Sequence, residues 1–260
     1  MDTSTIPPAA EFERQFAKTT VTTFRIIETL RHESAARVSD IAAELDLAKG
    51  TVHKHLKTLE AVDYVVQEGE RYRLSLRFIG LGTSVRANLD IYQIAYQPLE
   101  KLAEATGEVA SAMIAEHGHG VYVVRVSDEG RPDIDIREGE SVPLTATAGG
   151  KAILSYMDAE AREQIIEQYG LPALTDNTIT DRDELETELQ RVRNRREARD
   201  KGEYRADQHC VAVPILDADR NPLGAVSVSG PADRMAEKAM DTDFGSIVGS
   251  TANSIQGRLQ

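Results

Sequence analysis

Along the first ninety positions the spacing of apolar residues changes in a way that marks out elements. From Thr20 to His32, Val21, Phe24, Ile27 and Leu30 recur at threes, which predicts a helix turned inward along one side. From Ser39 to Leu45, Ile41, Ala42 and Leu45 stand at i, i+1 and i+4, predicting a short helix with Ser39 as its N-cap. Asp46 to Lys49 makes a turn. Gly50 to Ala61 then puts Val52, Leu56 and Leu59 on one face and leaves Thr51, His53, Lys54, Lys57 and Thr58 on the others. Tyr64 to Gln67 and Arg71 to Leu74 are β-prone runs across Glu68-Gly69-Glu70. Three helices and a hairpin over 18–74 form the pattern of a winged helix-turn-helix, although helix pairs followed by hairpins occur in other α+β folds too.

Beyond the hairpin the pattern shifts. Ser75 to Asn88 carries Leu76, Ile79 and Leu81 but also Gly80 and Gly82, each costing a helix about 1 kcal/mol. It reads as a linker helix over 75–90, with glycines for close packing or a bend and apolar residues for contact with a second copy. The remainder, 91–260, alternates helices and strands. Ile91 to Thr106 is a helix closed by Gly107, with Leu99, Leu102 and Ala103 inward. Glu108 to Ala115 and Val121 to Val126 are strands across His117-Gly118-His119-Gly120, and the DIDIR alternation predicts another at Asp133 to Arg137. Helices follow at Thr147 to Met157, Ala159 to Tyr169 and Asp181 to Asp200, the last capped by Thr180. Val211 to Leu216 and Leu223 to Ser229 form a hairpin around Asp217 to Pro222, and Thr242 to Leu259 is a closing helix. The fold class is α+β, with a mostly antiparallel sheet in the second domain.

Charge sharpens this division. Met1 to Asn88 holds 12 acidic and 12 basic residues, whereas the rest holds 31 and 18 and so carries the whole net charge of -13. In an acidic chain, a neutral segment with bases gathered on one helix and a hairpin is where DNA is tolerated. One cysteine excludes a disulfide framework or a cysteine-based zinc site within one chain. No apolar run reaches membrane-span length and the first residues lack a signal peptide's pattern, so the expected location is the cytoplasm. Arg outnumbers Lys 22 to 8 in this acidic composition, which suits a halophile; GC-rich codon usage explains it equally well, and stability measured against KCl separates the two.

Three features are candidates for chemistry. The loop from Leu144 to Ala152 brings Ala148 and Gly149 to a helix start, where bare amides favour an anion, though tight glycine packing would look the same. It is no Walker A loop, since Thr145 stands where the first glycine is required. Cys210 opens a strand, with Ser227 and Ser229 on one face of the next. Adjacent His209 points away from Cys210, which argues against an activated nucleophile. His117 and His119 read as a turn rather than a metal site. No paired carboxylates present themselves, so no enzyme is expected, and neither a cofactor nor a metal.

The whole pattern resembles the IclR family of transcriptional regulators across about Thr20 to Leu259. The likeness rests on SDIAAELDLAKGTVHKHLKTLEAVDYVVQ and YRLSLRFIGLG in the first domain, and on PLTATAGGKAIL, TDNTITDRDELETEL and CVAVPILDADRNPLGAVSVSGPADR in the second. The resemblance implies a GAF-like domain binding a small organic acid or sugar-derived effector, with Ala148, Gly149, Asp200, Cys210, Ser227 and Ser229 in one pocket. Arg196-Glu197 departs from the Gly-Tyr of many relatives. It also implies double-stranded DNA with a pseudo-palindromic operator as a partner, and a homodimer or tetramer. Ser39, Lys49, Gly50, Thr51, His53, Lys54, Lys57 and Arg71 are the expected DNA contacts. Two other readings remain at this point: a cysteine-dependent GAF-type redox enzyme using Cys210, and a winged helix serving as a protein-interaction module.

Overall fold

The computed structural model describes residue 6, residues 16–127 and residues 137–259. Contacts divide the chain between Asn88 and Leu89 into two compact units, each with its own core.

In the first unit, α1 (Lys18–Glu33), α2 (Val38–Glu44) and α3 (Lys49–Ala61) surround a cluster of Ile26, Leu30, Ile41, Val52, Leu56 and Val65. Side chains of this size each contribute about 1.5 to 3 kcal/mol when fully buried. A three-stranded sheet, β1 (Ala36–Arg37), β2 (Val65–Glu68) and β3 (Arg71–Leu74), closes the unit in the order β1-β3-β2. The hairpin has a two-residue loop, because Glu68 pairs with Arg71, and Gly69 takes φ +61° there.

Three expectations need correction. Phe24 is half exposed while Ile26 is fully buried. A strict three-residue repeat drifts about 60° per step around a helix, so Val21, Phe24, Ile27 and Leu30 cannot share one face. Ser39 is not an N-cap: α2 begins one residue earlier, after extended Arg37, whose N–H donates to Asp40 Oδ2 at 3.3 Å. The glycines of α4 (Arg77–Ala87) are not packing glycines within this chain, since a Cβ on Gly80 or Gly82 would meet nothing. No residue of α4 is buried, and Leu76, Ile79, Leu81 and Val85 are at least half exposed.

The second unit is a six-stranded antiparallel sheet covered by helices on both faces. Its strands are β4 (Val109–Glu116), β5 (His119–Val126), β6 (Ser141–Pro143), β7 (Ala198–Lys201), β8 (Gln208–Leu216) and β9 (Pro222–Pro231), in the order β6-β5-β4-β9-β8-β7. On one face α5 (Asp90–Thr106) and α10 (Phe244–Leu259) bury Leu99, Val248 and Ile255 against Val124, Ile215 and Val226. On the other, α6 (Ala148–Leu154), α7 (Ala159–Tyr169) and α8 (Arg182–Arg195) bury Leu154, Ile166 and Leu185 with Met113, Ala212 and Ala225.

Here too the sequence reading is adjusted. The helix expected to reach Asp200 stops at Arg195, because Arg196 adopts φ +55° and the chain turns into β7; its cap is Asp181, not Thr180, with Oδ1 accepting from the Glu184 N–H at 2.9 Å. His119 begins β5, leaving His117 and Gly118 as a tight turn at φ +48° and +77°. β6 and α9 (Ala232–Lys238) were not anticipated. The strand expected at Asp133 to Arg137 lies outside the described residues except for Arg137, which is in no strand.

Candidate functional site

The first candidate is the outer side of α3. Its buried stripe of Val52, Leu56 and Leu59 leaves Lys49, Gly50, Thr51, His53, Lys54, Lys57 and Thr58 exposed, as the spacing predicts. Ala48, which precedes the helix, has no capping side chain; its carbonyl takes the Thr51 and Val52 N–H groups at 2.9 and 3.2 Å, and no side chain caps the first turn. Lys49 and Lys54 form no ion pair among the described residues. Lys57 does, donating to Glu60 Oε2 at 2.7 Å and to Gln67 Oε1 at 2.9 Å, and the Glu60 contact raises its pKa. His55 turns the other way, with Nδ1 2.8 Å from Thr23 Oγ1, and burial followed by the Lys54 charge lowers its pKa. Arg71 is exposed on the hairpin, with Nη1 donating to the Ala35 carbonyl at 3.1 Å, and Ser39 is half-buried at the start of α2.

The second candidate is the face of the six-stranded sheet beneath α6. Antiparallel register sets it out: Asp200 pairs with Cys210, Cys210 with Ser229, and Ala212 with Ser227. Cross-strand partners share a face, so Asp200, Cys210, Ser227 and Ser229 stand in one array, and His209 faces the opposite side. Asp200, Cys210 and Ser229, together with Thr147 and Ala148 at the start of α6, enclose a hollow of about 20 Å³. That is room for a single water. The other walls come from Tyr122 and Arg125 of β5 and from Tyr204, Arg205 and Gln208. Ser227 is buried behind this wall, and Gly149 packs against Met113, whose Sδ would be 3.0 Å from an added Cβ. Gly150 is tighter still: a Cβ would fall 2.1 Å from the Leu144 carbonyl oxygen, and its N–H is taken by Thr147 Oγ1. The glycine pair thus has a packing reason of its own. A wider hollow of about 580 Å³ lies past Asp200 and Cys210 toward Met235, Met240 and Phe244, and holds only those two of the expected residues.

Sequence reasoning missed Tyr122 and Arg125 because they are three apart on a strand, where period two puts residues on opposite faces. A register shift opposite Ala112 and Met113 reunites them: Met113 pairs with Tyr122, Ala112 with Val124 and Ser111 with Arg125. The extra residue, Val123, goes into the core beside Val124. Lys151 was also missed as an ionic residue of the interior. It is 1 % exposed and bonded to Glu203.

Burial dominates the electrostatics of this hollow. It pushes Asp200 up to about 7, against the Glu203 N–H that donates to Oδ1 at 2.6 Å. It also raises Glu203, against the pull of Lys151, and the Tyr122 hydroxyl. Desolvation, then the Asp200 charge, pushes the Cys210 thiol up to about 12. A thiol so protonated is a weak nucleophile. His117 and His119 serve the turn: Tyr169 donates its hydroxyl to the His117 carbonyl at 2.8 Å and packs edge-on to the His119 ring. Among the described residues no group of side chains is arranged to hold a metal, and no helix is long and apolar enough to cross a membrane.

Comparison with known proteins gives the family of both units. Residues 83–256 match the family described as bacterial transcriptional regulator IclR C-terminal, and residues 21–69 match the IclR helix-turn-helix domain. The chain is 26% identical to the HTH-type transcriptional regulator KdgR of Escherichia coli strain K12 over 238 residues, covering 91% of this chain and 90% of that one. It is 29% identical to the HTH-type transcriptional repressor AllR of the same strain over 227 residues, covering 86% and 83%. The crystal structure of Thermotoga maritima IclR superposes with a TM-score of 0.75 at 28% identity, over 94% of this chain and 99% of that one. An IclR homolog from Microbacterium hydrocarbonoxydans, crystallised with 4-hydroxybenzoate, shares the fold at a TM-score of 0.77 and 22% identity, over 93% and 98%.

Proposed function

Because the chain belongs to the IclR family of transcriptional regulators, with a helix-turn-helix domain and an effector-binding C-terminal domain, we propose that the outer side of α3 reads its operator and that the hollow beneath α6 houses its effector. The observation that carries the first assignment is the division of α3 into a buried stripe and an exposed row of small and cationic side chains. A helix entering a major groove needs both: the stripe to hold it on its neighbours, and Lys49, Gly50, Thr51, His53 and Lys54 to meet phosphates and base edges. Lys57 joins them by releasing Glu60, and Ser39 and Arg71 flank the row.

The second assignment is supported by the convergence of Asp200, Cys210, Ser229 and Ala148 on one hollow. Gly149 and Ser227 support it from behind the wall. Since the resting hollow holds about one water, effector binding requires its walls to move apart. A ligand that favours one arrangement shifts the population toward it and changes operator affinity without touching DNA. The exposed apolar side chains of α4 are the contact between two copies, and a two-fold dimer implies a pseudo-palindromic operator. A cysteine-dependent enzyme is disfavoured by the raised pKa of Cys210.

The test is DNA binding across a KCl series. Lys54→Ala with Lys57→Ala weakens binding to any duplex and flattens the slope of log affinity against log salt by about one to two counterions. Lys54, free of Glu60, accounts for most of it. An unchanged slope in fluorescence anisotropy removes α3 from the interface.

A further inference from the structure

Lys151 and Glu203 form an ion pair in the interior of the second unit. Lys151 of α6 is 1% exposed and Glu203, just after β7, is 8% exposed; the ammonium bonds Glu203 Oε1, while Oε2 is buried with no hydrogen-bond partner. A pair left half satisfied adds little stability, since taking both charges out of water offsets their attraction. Its place in the fold gives it another use. Lys151 lies one turn along α6 from Thr147 and Ala148, which line the hollow. Glu203 belongs to the wall made by β7 and the loop after it: its N–H donates to Asp200 Oδ1 at 2.6 Å, and Tyr204 and Arg205, which follow it, line the hollow too. That loop is pinned from outside as well, because the Glu203 carbonyl accepts from the Thr178 hydroxyl and the Gly202 carbonyl from the Thr175 hydroxyl, both at 2.6 Å. The Glu203 carboxylate is therefore a point where α6 is joined by charge to the wall that carries Asp200.

We propose that the Lys151–Glu203 pair is a latch that positions α6 against the β7 side of the hollow and keeps the resting hollow closed. The inference rests on the reading of this hollow as the effector site and assigns what governs its opening. At rest there is room for about one water. To admit a metabolite, the start of α6 must draw away from Asp200, Tyr204 and Arg205. Parting the ion pair in a dry interior strands both charges until water follows, and this resists the motion. With Oε2 unsatisfied, the pair is held less firmly than a fully bonded one, which suits a contact that must release.

The test reads the opening through the one cysteine of the chain. Cys210 borders the hollow, so the rate at which methyl methanethiosulfonate modifies it in the full chain reports how often the walls part. Lys151→Met with Glu203→Leu removes both charges for apolar side chains of similar size, a replacement that buried pairs tolerate. This double variant is expected to melt close to the wild-type temperature and to label about ten- to a hundredfold faster, the effect of losing a hydrogen bond between charged groups. Loss of the Lys151 charge by itself raises the pKa of Cys210 and slows its modification, so a faster rate reports opening. Lys151→Met alone, in which Glu203 takes up a proton in place of its partner, carries the test if the double variant does not fold. The proposal is overturned if the folded variants label no faster than the wild type. It is also overturned if wild-type Cys210 reacts as fast as in the urea-unfolded chain, since the hollow would then be open at rest. The labelled protein tests the effector reading separately, because its methylthio group occupies the hollow. An unchanged affinity for duplex DNA removes that reading, and the latch stands on the rates. A changed DNA affinity with rates that ignore the variants removes the latch and keeps the effector site.

Discussion

Glu108 carries two cations on one buried carboxylate. Arg234 bonds both of its oxygens at 2.6 and 2.7 Å, and Lys238 Nζ donates to Oε1 at 2.7 Å and to the Thr106 carbonyl at 2.7 Å. Burial alone would raise the pKa of this acid, but the hydrogen bonds from Arg234 and Lys238 outweigh it, and the pKa is lowered from 4.5. A depressed folded-state value means that the stabilisation is fully present above about pH 4.5 and is lost as pH falls through the folded value. Glu108→Gln removes the charge but keeps the shape. It is expected to cost about 3 kcal/mol at neutral pH, since it strands two partly buried cations, lowering the melting temperature of this unit by roughly 6 to 12 °C. Melting curves of the two proteins should converge on acidification below pH 4.5; a constant gap would show that the network is packing rather than charge. At the same scale the sequence was only partly readable. Cys210 and Ser229 could be placed on one wall by period two, and Asp200 came only through family resemblance, because a helix in place of β7 would have pointed it elsewhere.

Among the elements, α4 is the one whose sequence and environment disagree. Leu76, just before the helix, is 76% exposed, and Ile79 64% and Val85 65%, in a helix whose contact with the core is Phe78 against Tyr64. Single exposed apolar residues are ordinary, but Leu76 and Ile79 on one side of the helix with Leu81 and Val85 on the other spread apolar surface around much of its circumference, more than a helix facing water alone would carry. Replacing Ile79 and Val85 by Ser is expected to leave the cores of both units intact and to shift sedimentation toward the monomer. An unaltered oligomer would move the contact to another surface. Elements with a strong period were legible: α3 from its three buried positions, and the β8–β9 hairpin from the Asp-Ala-Asp-Arg-Asn-Pro turn. The α8–β7 boundary was not, because past Val192 the run RNRREARDK holds a single apolar residue, Ala198, and only the left-handed Arg196 ends the helix. Nor was β6, three residues long and held by its pairing to β5, or the bulge at Val123, which exists only because β4 and β5 must both keep their core faces.

For the molecule as a whole, charge and chemistry are partitioned together. The neutral segment through Asn88 meets a polyanion, and the acidic remainder, with 31 acids against 18 bases, keeps its own surface away from DNA. Coupling between them is a free energy, and it is reciprocal. If the effector changes operator affinity by some factor, of order 5 to 150 in such systems, saturating operator must change effector affinity by the same factor. Titrating the effector with and without a saturating operator duplex measures both sides of that square, and unequal factors would mean that more than one equilibrium is involved.

The narrowness of the hollow beneath α6 also sets a tempo. Where the resting chain has space for about one water, a metabolite cannot enter at the frequency of its collisions. A ligand of this hollow waits for its walls to part, and at high concentration its observed association rate levels off at the frequency of that opening. A transcriptional response built on such a gate averages over brief surges of its signal and answers only those that last.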